Sequence, residues 1–121
     1  MRVLVTGSRN WKYQPVIEAA FLNQVVSKHP DSVTVIHGDC PTGADALADK
    51  IARDLHFDVI KYPANWSKYG KWAGPKRNIE MVENEHPDIC LAFPLGVSKG
   101  TRHCMKVAKE AGIPVINYGD E

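Results

Sequence analysis

The sequence predicts an α/β fold in which a five-stranded parallel sheet is covered by helices on both faces. Two observations predict it. Short apolar runs of strand length alternate along the chain with stretches whose apolar residues recur at helical spacing. Three of those runs stop in small, glycine-bearing turns: Met1-Arg2-Val3-Leu4-Val5-Thr6-Gly7-Ser8-Arg9; Val33-Thr34-Val35-Ile36-His37-Gly38, leading to Thr42-Gly43-Ala44-Asp45; and Ile89-Cys90-Leu91-Ala92-Phe93-Pro94, leading to Gly100-Thr101. Continuously apolar strands suit a parallel sheet buried on both faces, and turns after parallel strands gather along one sheet edge. With 121 residues and 44% hydrophobic content, residues 1–121 have the size and balance of a single domain.

The elements follow in order. The first strand, about Arg2 to Thr6, leads through Trp11 and Pro15 to a helix with Ile17, Ala20, Phe21 and Val25 on one face. Lys28-His29-Pro30-Asp31 is expected to end it, because proline disfavours helix in the residue before it. A β-branched strand, about Ser32 to His37, precedes the clearest helix, with Ala44, Leu47, Ala48, Ile51, Ala52 and Leu55 at helical spacing. Strand three, about Phe57 to Tyr62, enters an irregular stretch from Pro63 to Gly74, after which Pro75 is expected as the first residue of a helix carrying Ile79 and Val82. Strand four is Ile89 to Phe93. The last helix runs from about Thr101 to a C-cap at Gly112, and strand five is Pro114 to Tyr118.

Right-handed crossovers between such strands give a Rossmann-like three-layer sandwich of order 3-2-1-4-5. In that order strands one and four are neighbours whose following helices pass to opposite faces. The topological switch, where ligands bind in such sheets, then lies between Thr6-Gly7-Ser8-Arg9 and Pro94 to Thr101.

Composition narrows the function classes. A net charge of +1 argues against a wholesale polyanion binder and leaves room for a local basic patch. No apolar run approaches membrane-spanning length, and residue 1 already starts the first strand, so a cytoplasmic protein without membrane contact is expected. The three cysteines, Cys40, Cys90 and Cys104, form no C-x-x-C pair, as reduced thiols would. The five histidines show no H-x-x-x-H spacing, and neither a metal nor a cofactor is expected.

The turns carry the candidate site. Gly7 is either the tight turn such a fold needs or a point of close ligand approach. Arg9, just beyond a strand's carboxyl end, can fork onto phosphate or carboxylate oxygens. The turn lacks the G-x-G-x-x-G fingerprint, and in Gly96-Val97-Ser98-Lys99-Gly100-Thr101 the lysine precedes the second glycine, the wrong order for a P-loop. Gly38 and Gly43 allow close backbone approach, and the helix starting near Gly43 offers free N–H groups to an anion. Asp45 either complements its helix dipole, worth about 0.3–1 kcal/mol, or accepts from a ribose hydroxyl.

The segment from Lys61 to Arg77 holds Lys61, Lys68, Lys71, Lys76 and Arg77 without an acidic residue, interleaved with Tyr62, Trp66, Tyr69 and Trp72. That mixture suits phosphate contacts and base stacking, or equally a lid or an oligomer interface.

The ordered set of Thr6-Gly7-Ser8-Arg9 with Trp11, His37-Gly38 through Thr42-Gly43-Ala44-Asp45, Pro63-Ala64-Asn65-Trp66, and Gly74-Pro75-Lys76-Arg77-Asn78 with Met81 resembles the YspA/YpsA-related branch of the SLOG superfamily over almost the whole chain. The resemblance implies a Rossmann-like domain that binds nucleotides or nucleotide-derived ligands, often as a homodimer or larger homo-oligomer. It also implies distant kinship with the Lonely Guy phosphoribohydrolases and the DNA-processing protein DprA. In the phosphoribohydrolases a P-G-G-x-G-T-x-x-E motif supplies the phosphate-cradling turn and an acidic catalytic residue. Here Gly100-Thr101 is present and Cys104 occupies the glutamate position. Cleaving an N-glycosidic bond wants a carboxylate, so the resemblance carries over binding and leaves the catalytic residue unknown.

The expected function is therefore capture of a phosphorylated nucleoside, ADP-ribose-like or other nucleotide-derived ligand by a sensor, carrier or sequestering module. Arg9 and Arg77 are the expected anion contacts. Backbone groups around Gly7, Gly38, Gly43, Gly96 and Gly100 would cradle phosphate; Ser8, Asn78 and Thr101 would donate hydrogen bonds; Trp11 or Trp66 would cover the base; and Asp45 would meet the ribose. The alternatives are a nucleotide N-glycosidase, with Asp45 or Asp39 in place of the missing glutamate, and nucleic-acid binding through the 61–77 segment.

Overall fold

The computed structural model describes residues 1–26 and 32–119, so the expected helix stop at 28–31 lies outside the described residues. The strands are β1 (Arg2–Gly7), β2 (Thr34–His37), β3 (Asp58–Lys61), β4 (Ile89–Phe93) and β5 (Val115–Asn117). The helices are α1 (Gln14–Phe21), which continues into a π-helical turn at Leu22–Val26, α2 (Ala44–Asp54), α3 (Trp66–Tyr69), α4 (Ala73–Glu85) and α5 (Lys99–Glu110). The sheet has the order β3-β2-β1-β4-β5. Every neighbouring pair is parallel, with β1 and β4 in register from Val3 opposite Ile89 to Gly7 opposite Phe93.

Strand periodicity decides which side chains meet which helix layer. Val3 and Val5 of β1 with Ile89, Leu91 and Phe93 of β4 pack against Ile17 and Phe21 of α1 and Ala48 and Ile51 of α2. Their alternates Leu4 and Cys90 pack on the other face against Met81 and Val82 of α4 and Cys104 and Ala108 of α5. The helices after β1 and β4 thus cover opposite faces, which opens the sheet edge between them.

Three expectations are corrected. The stretch from Pro63 to Gly74 is not irregular: Asn65 caps α3 by accepting from the Lys68 N–H at 3.1 Å, and a 3₁₀ turn at Gly70–Trp72 leads directly into α4. Pro75 is the third residue of α4 rather than the first, a position whose N–H still has no partner within the helix. Helix α5 starts at Lys99, before Thr101, because Ser98 adopts a left-handed conformation (φ 38°) that turns the chain into it.

Gly112 ends α5 as expected, as the residue just beyond the C-cap Ala111. Its φ is +80°, and the N–H groups of Ile113 and Gly112 donate to Ala108 and Lys109, each at 3.0 Å, which satisfies the last carbonyls of α5. Among the described residues, no helix is long and apolar enough to cross a membrane.

Candidate functional site

A cleft of about 700 Å³ opens at the sheet edge between the turns after β1 and β4, roofed by the start of α4 and by α3. Its size lies within the range of about 300–1,000 Å³ usual for small-molecule sites. Of the residues singled out in the sequence, Gly7, Ser8, Arg9, Gly38, Asp45, Trp66, Arg77, Asn78, Gly100 and Thr101 line it.

Three others do not, each for a physical reason. Trp11 is only 4% exposed. Its ring meets Phe93 edge-on at 5.4 Å and its Nε1 donates to the Tyr13 carbonyl, so it is a core residue and covers no ligand. Gly43 has φ +78°, and a Cβ there would overlap the Ser8 carbonyl and the Arg9 backbone, so it permits the close crossing of two turns. At that crossing the Ala44 N–H donates to the Ser8 carbonyl at 3.1 Å. The first donor of α2 is therefore taken inside the protein rather than offered to an anion. Gly96 is exposed and its carbonyl accepts from Arg102 at 2.8 Å, outside the cleft lining.

Gly7 belongs to both the tight turn and the cleft wall. It lines the cleft, and a Cβ there would overlap Ala44 of α2. Ser8 is buried; its N–H donates to the Phe93 carbonyl at 3.0 Å and its hydroxyl accepts from the Asn10 N–H at 3.1 Å, which locks the turn after β1 onto β4. Arg9, by contrast, is exposed, and its guanidinium carbon sits 5.8 Å from the centre of the Trp66 ring. Trp66 is 49% exposed, and its indole edge rests over Gly74, where a Cβ would lie 3.2 Å away.

Arg77 is anchored more firmly than a simple anion contact requires. Its Nη1 donates to the Gly38 carbonyl at 2.6 Å and to the Tyr62 carbonyl at 3.4 Å, and its Nε donates to Asn78 Oδ1 at 2.9 Å. The guanidinium thereby ties α4 to the ends of β2 and β3 while Arg77 lines the cleft. Gly38 is glycine for the same reason, since a Cβ there would overlap Nη1.

Asp45 is 5% exposed and lines the cleft, and its Oδ2 accepts from the Cys40 N–H at 3.3 Å. Burial pushes its carboxyl above the usual range, more than nearby His37, the Cys40 N–H and Arg77 pull it down. Cys104, in contrast, is fully enclosed and outside the cleft lining. Burial pushes its thiol up to about 11, against a smaller lowering by a hydrogen bond with Thr6. That side chain is neutral and out of reach of a ligand.

The far wall is the first turn of α5. Ser98 donates to the Thr101 hydroxyl at 2.9 Å, and the opening N–H groups of the helix have no partner within it. Sequence reasoning missed Asn10, Cys40 and His103 as lining residues. The spacing of Gly100 and His103, three apart on one helix, was the available signal for the last. Among the described residues, no group of three or more His, Cys, Asp or Glu side chains is placed to hold a metal ion.

The family model described as YspA, cpYpsA-related SLOG matches residues 1–69. A protein of Mycobacterium phage D29, named only Gene 61 protein, is 48% identical over 125 residues, spanning 99% of this chain and 98% of the relative. Among solved structures, the C-terminal domain of a Pyrococcus furiosus hydrogenase superposes with a TM-score of 0.50 at 19% identity, over 97% of this chain and 90% of that one, a likeness of fold.

Proposed function

This chain belongs to the YspA, cpYpsA-related SLOG family, and from that premise we propose that its cleft binds a phosphorylated nucleoside or an ADP-ribose-like ligand, which the protein senses, carries or sequesters. The observation that carries the reading is the charge of the cleft. Arg9, Lys71, Arg77 and Lys99 line it against one carboxylate, Asp45, although the chain as a whole is almost neutral. A cleft so lined attracts an anion. The N–H groups of α5 and the Thr101 hydroxyl take phosphate oxygens, Arg9 closes over them, Trp66 offers its exposed face to a planar base, and Asp45 accepts from a ribose hydroxyl.

Cys104, a neutral, enclosed thiol that cannot act for a glutamate, supports binding over turnover. One observation favours a second reading, hydrolysis of the N-glycosidic bond: Asp45 is a buried carboxyl with a raised pKa on the cleft wall, as a general acid or base would be. Released base after incubation with nucleotides selects that reading, and intact nucleotide selects the first.

Calorimetric titration with AMP and ADP-ribose tests the proposal. One of them binds once per chain, and Arg9→Ala weakens it by about tenfold or more, the worth of a charge-assisted hydrogen bond. Failure of both to bind, or unchanged affinity in Arg9→Ala, contradicts it. Equal affinity for unrelated oligonucleotides with a steep salt dependence would instead indicate nucleic-acid binding.

A further inference from the structure

We infer that His103 is a ligand-binding residue of this cleft whose Nε2–H is held ready for a phosphoryl oxygen; the inference rests on the reading of the cleft given above.

Asn78 is buried, 2% exposed. Its Oδ1 accepts from Arg77 Nε at 2.9 Å and its Nδ2 donates to the Gly100 carbonyl at 3.1 Å. Arg77 can only donate and a carbonyl can only accept, so the orientation of the amide is determined from both ends. The same Nδ2 lies 3.2 Å from His103 Nδ1. An amide nitrogen has no lone pair to offer, so His103 Nδ1 is the acceptor, and the proton of the neutral ring sits on Nε2.

That Nε2 has no partner among the described residues, while every enclosed side-chain nitrogen or oxygen among them has one, so Nε2 is open to solvent. His103 lines the cleft, one turn after Gly100 on α5. A relay from Arg77 through Asn78 therefore sets the tautomer of a side chain beside the free N–H groups of the same helix. Those backbone groups supply donors to an oxyanion, and His103 adds a side-chain donor to the set. A tautomer held this way needs no reorganisation on binding, and it discriminates for an acceptor and against a donor at that point.

The test is a long-range imidazole ¹H–¹⁵N spectrum of the full chain titrated with AMP, with the Gly100 amide as internal reference. The inference predicts the Nε2–H tautomer for His103 and movement of its Nε2 signal together with the Gly100 amide. It further predicts that His103→Ala weakens AMP binding by about tenfold or more, with His103→Gln, whose amide can donate from a similar reach, losing less. Movement of Gly100 with an unmoved His103, or an Nδ1–H tautomer, overturns the inference and leaves the cleft reading intact. If neither signal moves with AMP or with ADP-ribose, the cleft reading falls and His103 falls with it.

Discussion

Asp45 and Asp49 stand one turn apart on α2, and the fold treats them in opposite ways. Asp49 faces the β2–β3 end of the sheet, where His37 Nε2 lies 2.7 Å from Oδ2 and Arg53 Nε donates to Oδ1 at 2.5 Å. Burial raises its pKa, but the hydrogen bonds from Arg53 and His37 outweigh that and hold the carboxyl below its usual range. Asp45 is more deeply buried, and there desolvation wins. A carboxylate surrounded by donors is explained by stability. One kept in a cleft where its ionised form is disfavoured costs the fold something, which is the pattern expected of a group retained for a ligand.

Three substitutions test the contrast between these carboxylates and the cleft. Asp49→Ala has the largest expected effect on stability. His37 is 1% exposed, and leaving its Nε2 without an acceptor costs about 1–3 kcal/mol, read as a lower denaturant midpoint with AMP affinity unchanged. A fall in affinity equal to that of a cleft variant would erase the distinction between the two aspartates.

Asp45→Asn has a smaller effect of opposite sign. Because the folded-state pKa of Asp45 lies above its ordinary 3.8, the native chain holds that proton more tightly than the unfolded chain does. Stability therefore falls as pH rises from about that ordinary value through the folded one. Asparagine removes this cost, so the variant is more stable than the parent at pH 7. The gain fades as pH drops towards the ordinary carboxylate value, while AMP affinity falls at neutral pH. Equal stability of variant and parent at every pH would show that burial of Asp45 carries no cost. Trp66→Ala has the smallest effect on stability, within about 0.5 kcal/mol for a half-exposed side chain. Its AMP affinity nevertheless drops, since stacking on an aromatic face is worth about 1–3 kcal/mol per base; equal affinity for the parent and the variant would remove Trp66 from the site.

What was legible in the sequence followed from burial on a simple period. Ile89–Phe93 reads as a strand because every residue in it is enclosed by two helix layers, and α2 reads as a helix because Ala44, Ala48, Ile51 and Ala52 all turn into the core against the sheet. Helix α3 did not show, because Trp66-Ser67-Lys68-Tyr69 buries nothing and so leaves no apolar period, although Asn65 carried its cap signal. At the site, the glycines were legible as points of close approach, but what approaches was not. Gly43 admits the Ser8 and Arg9 backbone, and Gly38 admits Arg77. Trp11 and Trp66 are the same residue type beside similar turns. Only the packing of Trp11 on Phe93, a contact distant in sequence, separates the core tryptophan from the one at the cleft.

The decisive measurement is native mass spectrometry of the parent chain, Asp45→Asn and Asp49→Ala with AMP and ADP-ribose. One nucleotide is expected per parent chain, retained by folded Asp49→Ala and depleted on Asp45→Asn. A parent chain that carries neither nucleotide, or two variants that lose it equally, would contradict the claim that this cleft holds a nucleotide-derived ligand through Asp45.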